Sequence, residues 1–253
     1  MRGLLPTYAE TVDLDAAYGY PDHRPWLRAN MVASADGAAT VGGRSGGLSG
    51  AADRQVFGLL RALADVVLVG AGTVRAENYR PAQASPDHVA QRARRGMPPA
   101  PIIAVVSQRL DLDPEAPLFA KAEPPTIVVT SASAPPDQIA ALGDVADLLV
   151  VGEHEVDLGH TVDALVNRGL TRILCEGGPT LLRHVAAAER LDELCLTVSP
   201  QLLGGHAPRI LDGDLLLPPQ ALELGQVLED DGYLFLRYGR SARGHAQGAR
   251  ASD

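Results

Sequence analysis

The chain has 253 residues, of which 46% are hydrophobic and 21% are charged, so it can bury a substantial core and is not intrinsically disordered. Its formal net charge of −9 argues against a nucleic-acid partner, because phosphate backbones are bound by positive surfaces. No apolar run reaches the roughly 18 residues that cross a bilayer, and the apolar stretch at the start is too short for a signal peptide, which together predict a cytoplasmic protein without membrane contact.

The first regular pattern begins near Trp26. Residues 1–25 show no clear periodicity, and we interpret them as an extension that packs on a single domain spanning 26–239. Residues 27–34 have the pattern of a strand, and a loop with five glycines in 42–50 comes after it. A helix is predicted next, with an apolar stripe formed by Val56, Leu59, Leu60 and Leu63.

Five short apolar runs predict strands buried on both faces, as in a parallel sheet. They read "ADVVLVG", "PIIAVVS", "PTIVVTS", "ADLLVVG" and "RILC". Helical patterns cover 135–142, a segment within 151–172 that ends at Gly169, and 179–188, while 80–100 has the composition of a surface loop. Strands that alternate with helices indicate an α/β fold with a mostly parallel sheet.

The pattern changes after residue 190. The segment "DELCLTVSP" alternates, and Asp231-Gly232 between two strand-like runs is a hairpin signal, so we predict antiparallel strands at the sheet edge. Residues 240–253 contain no apolar anchor and are predicted to be a disordered tail. Cys175 and Cys195 lie in apolar runs and are expected to be buried free thiols, and no metal-binding spacing of cysteine or histidine is present in the sequence.

Two predicted strands end in residues that suit a phosphorylated ligand. The stretch 69–74, "VGAGTV", runs into glycines, although an ordinary strand-to-helix turn has about even odds there. It does not match a dinucleotide fingerprint, because Arg75 occupies the third glycine position. Ser107 and Arg109 follow another strand. One interpretation is a solvated loop that contains these residues by chance. The other is a site for a 2′-phosphate, which needs donors of this kind.

A third strand ends in "CEGGPTLL". Gly177 and Gly178 allow the backbone to approach a ligand, and Gly178 leads into a helix whose free N–H groups suit an anion. A simple glycine cap would explain one of these glycines, but it does not explain two consecutive glycines preceded by an acid. Glu176 at the end of a buried strand is costly unless it is paired or used. Because ligands of open α/β sheets bind beyond the carboxyl ends of strands, we predict a binding cleft at these three ends.

Five segments together resemble a known family, the reductase domain of riboflavin biosynthesis, which is the C-terminal half of the RibD deaminase–reductase. They are "ASADG" (33–37), "LLRALADVVLVGAGTVRAEN" (59–78), "AVVS" (104–107), "CEGGPTLL" (175–182) and "DELCLTVSPQLLGG" (192–205). The resemblance extends from Leu27 to about Tyr238. It implies a dihydrofolate-reductase-like fold, a homodimer formed at the antiparallel edge, and NADPH-dependent reduction of the ribose of 5-amino-6-(5-phosphoribosylamino)uracil. The deaminase motif is absent from the sequence, so no zinc is expected.

The resemblance also implies residue roles. Glu176 would be catalytic and face both the substrate and the nicotinamide. Together with the strand-end reasoning, it predicts that the cofactor is bound by Gly72, Thr73, Glu77, Ser107, Arg109, Gly177, Gly178, Pro179, Thr180, Leu181 and Leu182. The substrate would be bound by Asn30, Asp36, Ser49, Arg61 and Arg80. Three of these positions depart from the family pattern. Asn30 stands where the family has a lysine, and Ser49 stands where it has a threonine. The segment "ENYRP" replaces a longer family motif, so only Arg80 can supply the guanidinium of that motif.

Two alternatives stay open. The same cleft could reduce dihydrofolate or a pterin, since an acid can hold a pteridine ring. The departures at Asn30 and "ENYRP" would instead support a non-catalytic NADPH-binding protein. The proton donor is not identified, with Glu176, Glu77 and water all possible. If Glu176 is an unpaired buried charge, we expect Glu176→Gln to leave the stability unchanged or to raise it.

Overall fold

A computed structural model describes residues 1–241, and a ten-stranded sheet runs through this part of the chain. In chain order the strands are β1 Arg2–Leu5, β2 Trp26–Ser34, β3 Val66–Gly70, β4 Ile102–Val106, β5 Ile127–Thr130, β6 Asp147–Val150, β7 Arg172–Cys175, β8 Glu193–Ser199, β9 Leu222–Asp230 and β10 Tyr233–Arg240. The helices are α1 Leu14–Ala17, α2 Ala51–Leu63, α3 Ala71–Glu77, α4 Pro86–Arg94, α5 Pro117–Ala120, α6 Pro136–Gly143, α7 Leu158–Asn167 and α8 Pro179–Ala187, with a 3-10 turn at Gly46–Leu48.

The strands are arranged in the order β1-β9-β10-β8-β2-β7-β3-β4-β5-β6. Each neighbouring pair from β8 to β6 is parallel, and β10, β9 and β1 add antiparallel pairs on the other side. The α/β fold with a mostly parallel sheet and antiparallel edge strands is therefore confirmed. The hairpin at Asp231-Gly232 is also present, and both residues have the positive φ that such a tight turn requires.

The core consists of two apolar layers, one on each face of the sheet. Successive residues of β3 alternate between them, with Val67 and Val69 in one layer and Val66 and Leu68 in the other. The predicted stripe of α2 is buried in the first layer, and α7 and α8 contribute to the second. Burial on both faces explains why these strands are continuous apolar runs.

The N-terminal segment is more than a packed extension. Arg2–Leu5 forms β1, which pairs with β9 and is the outermost strand of the sheet. The edge that we assigned to the strands from 193 onward is thus occupied by β1, and β8 lies inside the sheet, parallel to β2. The four-residue strand is too short and too exposed to produce a recognisable period. The predicted tail 240–253 begins too early, because Arg240 belongs to β10, and its residues 242–253 lie outside the described part of the chain.

The interpretation of 80–100 as a surface loop is wrong, because α4 occupies Pro86–Arg94. Ser85 caps this helix by accepting the backbone N–H of His88, and a proline stands in its first turn. The helix contains few apolar residues, so hydrophobic periodicity could not reveal it. It is held by the buried Arg92, which donates to the backbone oxygen of Ala64 at 2.6 Å at the end of α2.

Three smaller points concern the edge strand β6, the two thiols and membrane-spanning helices. The run "ADLLVVG" forms β6, but this strand is a half-exposed edge and not a strand buried on both faces. Cys175 and Cys195 are buried and free, as expected. Within residues 1–241, no helix is both long enough and apolar enough to span a membrane.

A buried ion pair joins β2 to β8 in the middle of the sheet. Nε of Arg28 donates to Oε1 of Glu193 at 2.7 Å, and neither side chain has appreciable contact with solvent. The guanidinium also donates to the backbone oxygen of Tyr18, and Trp26 donates its indole N–H to the same carboxylate. The pair therefore connects the N-terminal segment to the sheet.

Removing one partner of this pair should destabilise the protein strongly. We expect Arg28→Met to lower the free energy of unfolding by about 3–5 kcal/mol, because it leaves Glu193 buried without its cation. The exposed pair between Arg168 and Asp147, at a similar distance of 2.6 Å, is a matched control. There, Arg168→Met should cost less than about 1 kcal/mol. Urea denaturation checks both values, and similar losses for the two variants would contradict the assignment.

Candidate active site

A cleft of about 670 Å³ opens along the carboxyl-terminal parts of β2, β3 and β7. Its wall is formed by β2, the glycine-rich loop, the first two turns of α2, the β3–α3 turn, the β7–α8 turn and residues of the loop before β9. Two of the three strand ends singled out in the sequence, 69–74 and 175–182, meet in this wall. This is the edge at which open α/β sheets bind their ligands.

The two turns touch each other, which explains the glycines between β7 and α8. The N–H of Gly70 donates to the backbone oxygen of Gly177 at 2.8 Å. A Cβ on Gly178 would lie 2.7 Å from Oγ1 of Thr73, closer than a real contact allows. Gly177 has a φ of +75° and would bring a Cβ to 3.1 Å from the sulfur of Met31. Both positions therefore require glycine for packing, apart from any ligand.

The start of α8 faces the cleft. The helix begins at Pro179, and Gly178, Pro179, Thr180 and Leu181 all line the wall. The N–H groups of the first turn have no intrahelical acceptor, and the helix dipole adds partial positive charge at this end. This geometry suits an anionic group of a ligand.

Glu176 sits at the end of β7 and is paired. Its carboxylate receives two hydrogen bonds from the guanidinium of Arg61, at 2.7 Å from Nε to Oε1 and 2.6 Å from Nη2 to Oε2. The hydroxyl of Tyr79 donates to Oε2 as well. Only 3% of the Glu176 side chain is exposed. Glu176 thus has the partner that a buried acid at a strand end needs, because α2 supplies a forked cation that matches the carboxylate, and the stability gain expected for an unpaired charge does not apply.

The surroundings of this cluster shift two pKa values. Burial alone would disfavour the charged guanidinium of Arg61, but the facing Glu176 carboxylate outweighs it and raises the pKa of Arg61. Burial, and then the neighbouring carboxylate, raise the pKa of Tyr79 well above its usual value. Arg61 also stacks on Phe57, with 4.4 Å from its central carbon to the ring centre. The cluster thus holds a charged arginine, a carboxylate and a neutral phenol.

The structure distributes the predicted site residues over three places. The wall of the cleft contains Asn30, Ser49, Gly72, Thr73, Glu77, Glu176, Gly178, Pro179, Thr180 and Leu181. Three others, Arg61, Gly177 and Leu182, do not form the wall themselves; Arg61 holds Glu176 from the side, and Leu182 is part of the core. The last four, Asp36, Arg80, Ser107 and Arg109, lie outside the wall.

Asp36 has a clear structural use. It accepts the backbone N–H groups of Leu203 and Gly204, at 3.1 Å and 2.7 Å, and the hydroxyl of Ser34. The Ser34 hydroxyl, followed by these two N–H groups, lowers the pKa of Asp36 to about 2. The residue therefore connects the end of β2 to the loop after β8.

Glu77 also has a structural partner. Its Oε1 accepts both the backbone N–H of Ser45, at 2.8 Å, and the Ser45 hydroxyl, at 3.0 Å. These bonds tie the glycine-rich loop to the end of α3 and place the loop over the cleft. Such a loop has few contacts of its own, so this one carboxylate contributes much to its position.

Among the wall residues that sequence reasoning did not identify are Asp53, Phe57 and Tyr79. Tyr79 lies in the "ENYRP" segment, in which the resemblance assigns a role to Arg80 alone. Asp53 stands in the first turn of α2, where an acid is ordinary because of the helix dipole. The signal that could have identified it is its position on the side of the helix that carries the apolar stripe, three residues before Val56.

Breaking the Glu176–Arg61 pair should lower stability. We expect Glu176→Gln to reduce the free energy of unfolding by about 2–4 kcal/mol, slightly less than for a fully buried pair, because Arg61 keeps some contact with solvent. Arg61→Met should cost a similar amount. The double variant should lose less than the sum of the two, since neither charge is then left alone. Additive losses in urea denaturation would show that the two side chains do not stabilise each other.

Comparisons with known proteins agree with this architecture. The RibD C-terminal domain family matches residues 25–232. The 2,5-diamino-6-ribosylamino-4(3H)-pyrimidinone 5′-phosphate reductase of Archaeoglobus fulgidus is 31% identical over 205 residues, which cover 79% of this chain and 92% of that protein. The reductase of the same name from Methanothermobacter thermautotrophicus is 29% identical, over 76% and 85% of the two chains.

A solved structure adds the same result in three dimensions. The crystal structure of a pyrimidine reductase-like protein from Corynebacterium diphtheriae superposes with a TM-score of 0.79 and 28% identity, covering 86% of this chain and 92% of that one. The family match spans most of the sequence, from the start of β2 to the β9–β10 hairpin. The chain therefore belongs to the RibD C-terminal domain family.

Proposed function

We propose that the protein is an NADPH-dependent reductase that delivers hydride to C1′ of the ribose in a 5-amino-6-ribosylaminopyrimidine 5′-phosphate. The observation that carries this proposal is the cleft, because the start of α8 and the Glu176 cluster face the same space there. The family to which the chain belongs supports the same proposal. The names of the archaeal relatives support a pyrimidine substrate.

The residues of the cleft fit a dinucleotide. The first turn of α8 offers backbone N–H groups to a pyrophosphate, and the β3–α3 turn next to it adds the Thr73 hydroxyl and an open space at Gly72. Ser107 and Arg109 stand past the end of β4, which is the next strand after β3, so an extended ligand could reach them. When bound, a reduced nicotinamide supplies the hydride.

In this proposal Glu176 does not act as the proton donor. Both of its oxygens accept hydrogen bonds from Arg61, and Tyr79 occupies Oε2 as well. We assign to it the role of a fixed negative charge that orients the substrate and stabilises the positive charge at C1′ before the hydride arrives. The hydride forms a new C–H bond at C1′, the C1′–O4′ bond of the ribose opens, and the proton that converts O4′ into a hydroxyl group comes from Glu77 or from water, while Asn30 contacts the substrate from β2.

The experiment that tests the function is a turnover assay. NADPH is offered together with the diaminopyrimidinone ribotide, with 5-amino-6-(5-phosphoribosylamino)uracil, and with dihydrofolate. The proposal expects oxidation of NADPH with a pyrimidine ribotide and the appearance of a ribityl product. Reduction of dihydrofolate alone would favour the pterin alternative. Binding of NADPH without turnover of any of the three would favour a non-catalytic protein.

Cofactor preference gives a sharper prediction. Arg109 is exposed and has no ion-pair partner within the described part of the chain, so it is available to a 2′-phosphate. We expect Arg109→Ala to weaken NADPH binding about tenfold to a hundredfold and to leave NADH binding unchanged, since one charge-assisted contact is lost. Arg94→Ala, at an exposed arginine of α4, is the control. Equal affinity of the unmodified protein for the two cofactors in calorimetry would refute the assignment.

We also propose a homodimer. The loop between β8 and β9 exposes three large apolar side chains, Leu202, Leu215 and Leu217, each more than three-quarters accessible. Leu215 and Leu217 stand two positions apart in this exposed loop, and neighbouring exposed apolar side chains are typical of interaction surfaces. Light scattering should give twice the chain mass of 26.5 kDa for the unmodified protein, and Leu215→Asp with Leu217→Asp should shift it to the monomer. A monomeric mass for the unmodified protein at micromolar concentration would remove the proposal.

A further inference from the structure

Asp53 is a buried carboxylate in the wall of the cleft. It lies in the first turn of α2 and is only 7% exposed. The hydroxyl of Ser49 donates to its Oδ2 at 2.5 Å. In residues 1–241, no group donates a hydrogen bond to the other oxygen, Oδ1. Oδ1 is not sealed from solvent, so it keeps the capacity to accept hydrogen bonds from a ligand in the cleft.

The other acids of the wall are committed or exposed. Glu176 receives the guanidinium fork of Arg61, and Glu77 holds Ser45 of the glycine-rich loop. Asp212 is exposed at the rim. Arg54 is the one basic side chain among the described wall residues, and its hydrogen bond goes to the backbone oxygen of Ser49 and not to Asp53. Asp53 is thus the buried acid that keeps its capacity for a ligand.

The chemistry of a carboxylate limits what it can recognise. An ionised carboxylate only accepts hydrogen bonds, and it does so best from two parallel donors. A 2-amino-4-oxopyrimidine presents such a pair, namely the ring N3–H and the adjacent 2-amino group. A 2,4-dioxopyrimidine, or uracil, presents a carbonyl oxygen at C2, which would face the carboxylate as a second acceptor.

We propose that Asp53 recognises the 2-amino group of the substrate and makes the cleft select a 2-amino-4-oxopyrimidine over the corresponding uracil. Ser49 positions the carboxylate by occupying one lone pair of Oδ2. This inference rests on the proposed function, because it concerns which of the two pyrimidine ribotides that reductase accepts. A site that pairs with an N–H group rejects the analogue lacking it, since the buried polar group is then left unpaired.

The test compares kcat/KM for the two ribotides with saturating NADPH. We expect the unmodified protein to prefer the diaminopyrimidinone over the uracil by at least tenfold. Asp53→Asn should reduce this ratio by at least tenfold, mainly through KM, because an amide can donate to the C2 carbonyl. Ser49→Ala keeps the Asp53 carboxylate but removes the hydroxyl that positions it, so it should reduce the ratio of the two kcat/KM values several-fold. Thermal denaturation verifies that each variant is folded.

The matched control is Asp137→Asn. Asp137 also stands in the first turn of a helix, α6, but it is exposed and outside the cleft, so its loss changes the charge and the helix terminus alone. The control should keep the substrate ratio of the unmodified protein. A ratio for folded Asp53→Asn within threefold of the unmodified value would overturn the inference, while turnover itself would still support the function.

A second measurement distinguishes failure of the proposed function from failure of the inference about Asp53. If the unmodified protein reduces neither ribotide, the proposed function fails, and calorimetric binding of the same two compounds to the protein with oxidised NADP then tests Asp53 directly. Tighter binding of the diaminopyrimidinone that disappears in Asp53→Asn would support the inference. Equal binding of both compounds to the unmodified protein would refute it.

Discussion

The bonds around the Glu176 carboxylate organise this site. They connect three elements that are far apart in the sequence, because the acid follows β7, its cation comes from α2, and the phenol of Tyr79 follows α3. A carboxylate in this position would be unfavourable without a partner, and Arg61 would be unfavourable without the carboxylate. Their pairing therefore fixes how the first helix of the cleft sits against the end of the sheet, and the shape of the cleft depends on it.

The cleft belongs to an acidic protein, and this determines how it can hold anions. With Arg54 as the one basic side chain among the described wall residues, an anionic group in the cleft would be bound largely by the backbone. The start of α8 and the glycine-containing turns provide N–H groups there, and these carry no net charge that would need a counterion. The same arrangement leaves the Asp53 carboxylate available to a group with N–H donors, so the two ends of a ligand would meet different surroundings.

The sequence reveals the fold well where burial dictates the pattern. The strands β2, β3, β4, β5, β7 and β8 are apolar because they lie between two layers, and the stripe of α2 is apolar because it packs in one of these layers. The helix α4 escaped detection because Arg92 holds it through backbone carbonyls. Likewise, the pairing of Glu176 with Arg61 could not be deduced, since it depends on a contact between residues 115 positions apart. The double glycine was recognised as unusual, but the sequence could not show that two turns pack against each other there.

The position of β10 in the sheet has a consequence for dividing the chain. The family match ends at residue 232, within the turn that precedes β10, and it begins after β1. Because β10 lies between β9 and β8, a fragment cut at those limits would lose the strand that attaches β9 to the rest of the sheet. It would also expose the backbone of β8 as a new edge, which invites pairing with other chains. The region that the family model matches is therefore smaller than the unit that folds, and an expression fragment needs both of the flanking strands.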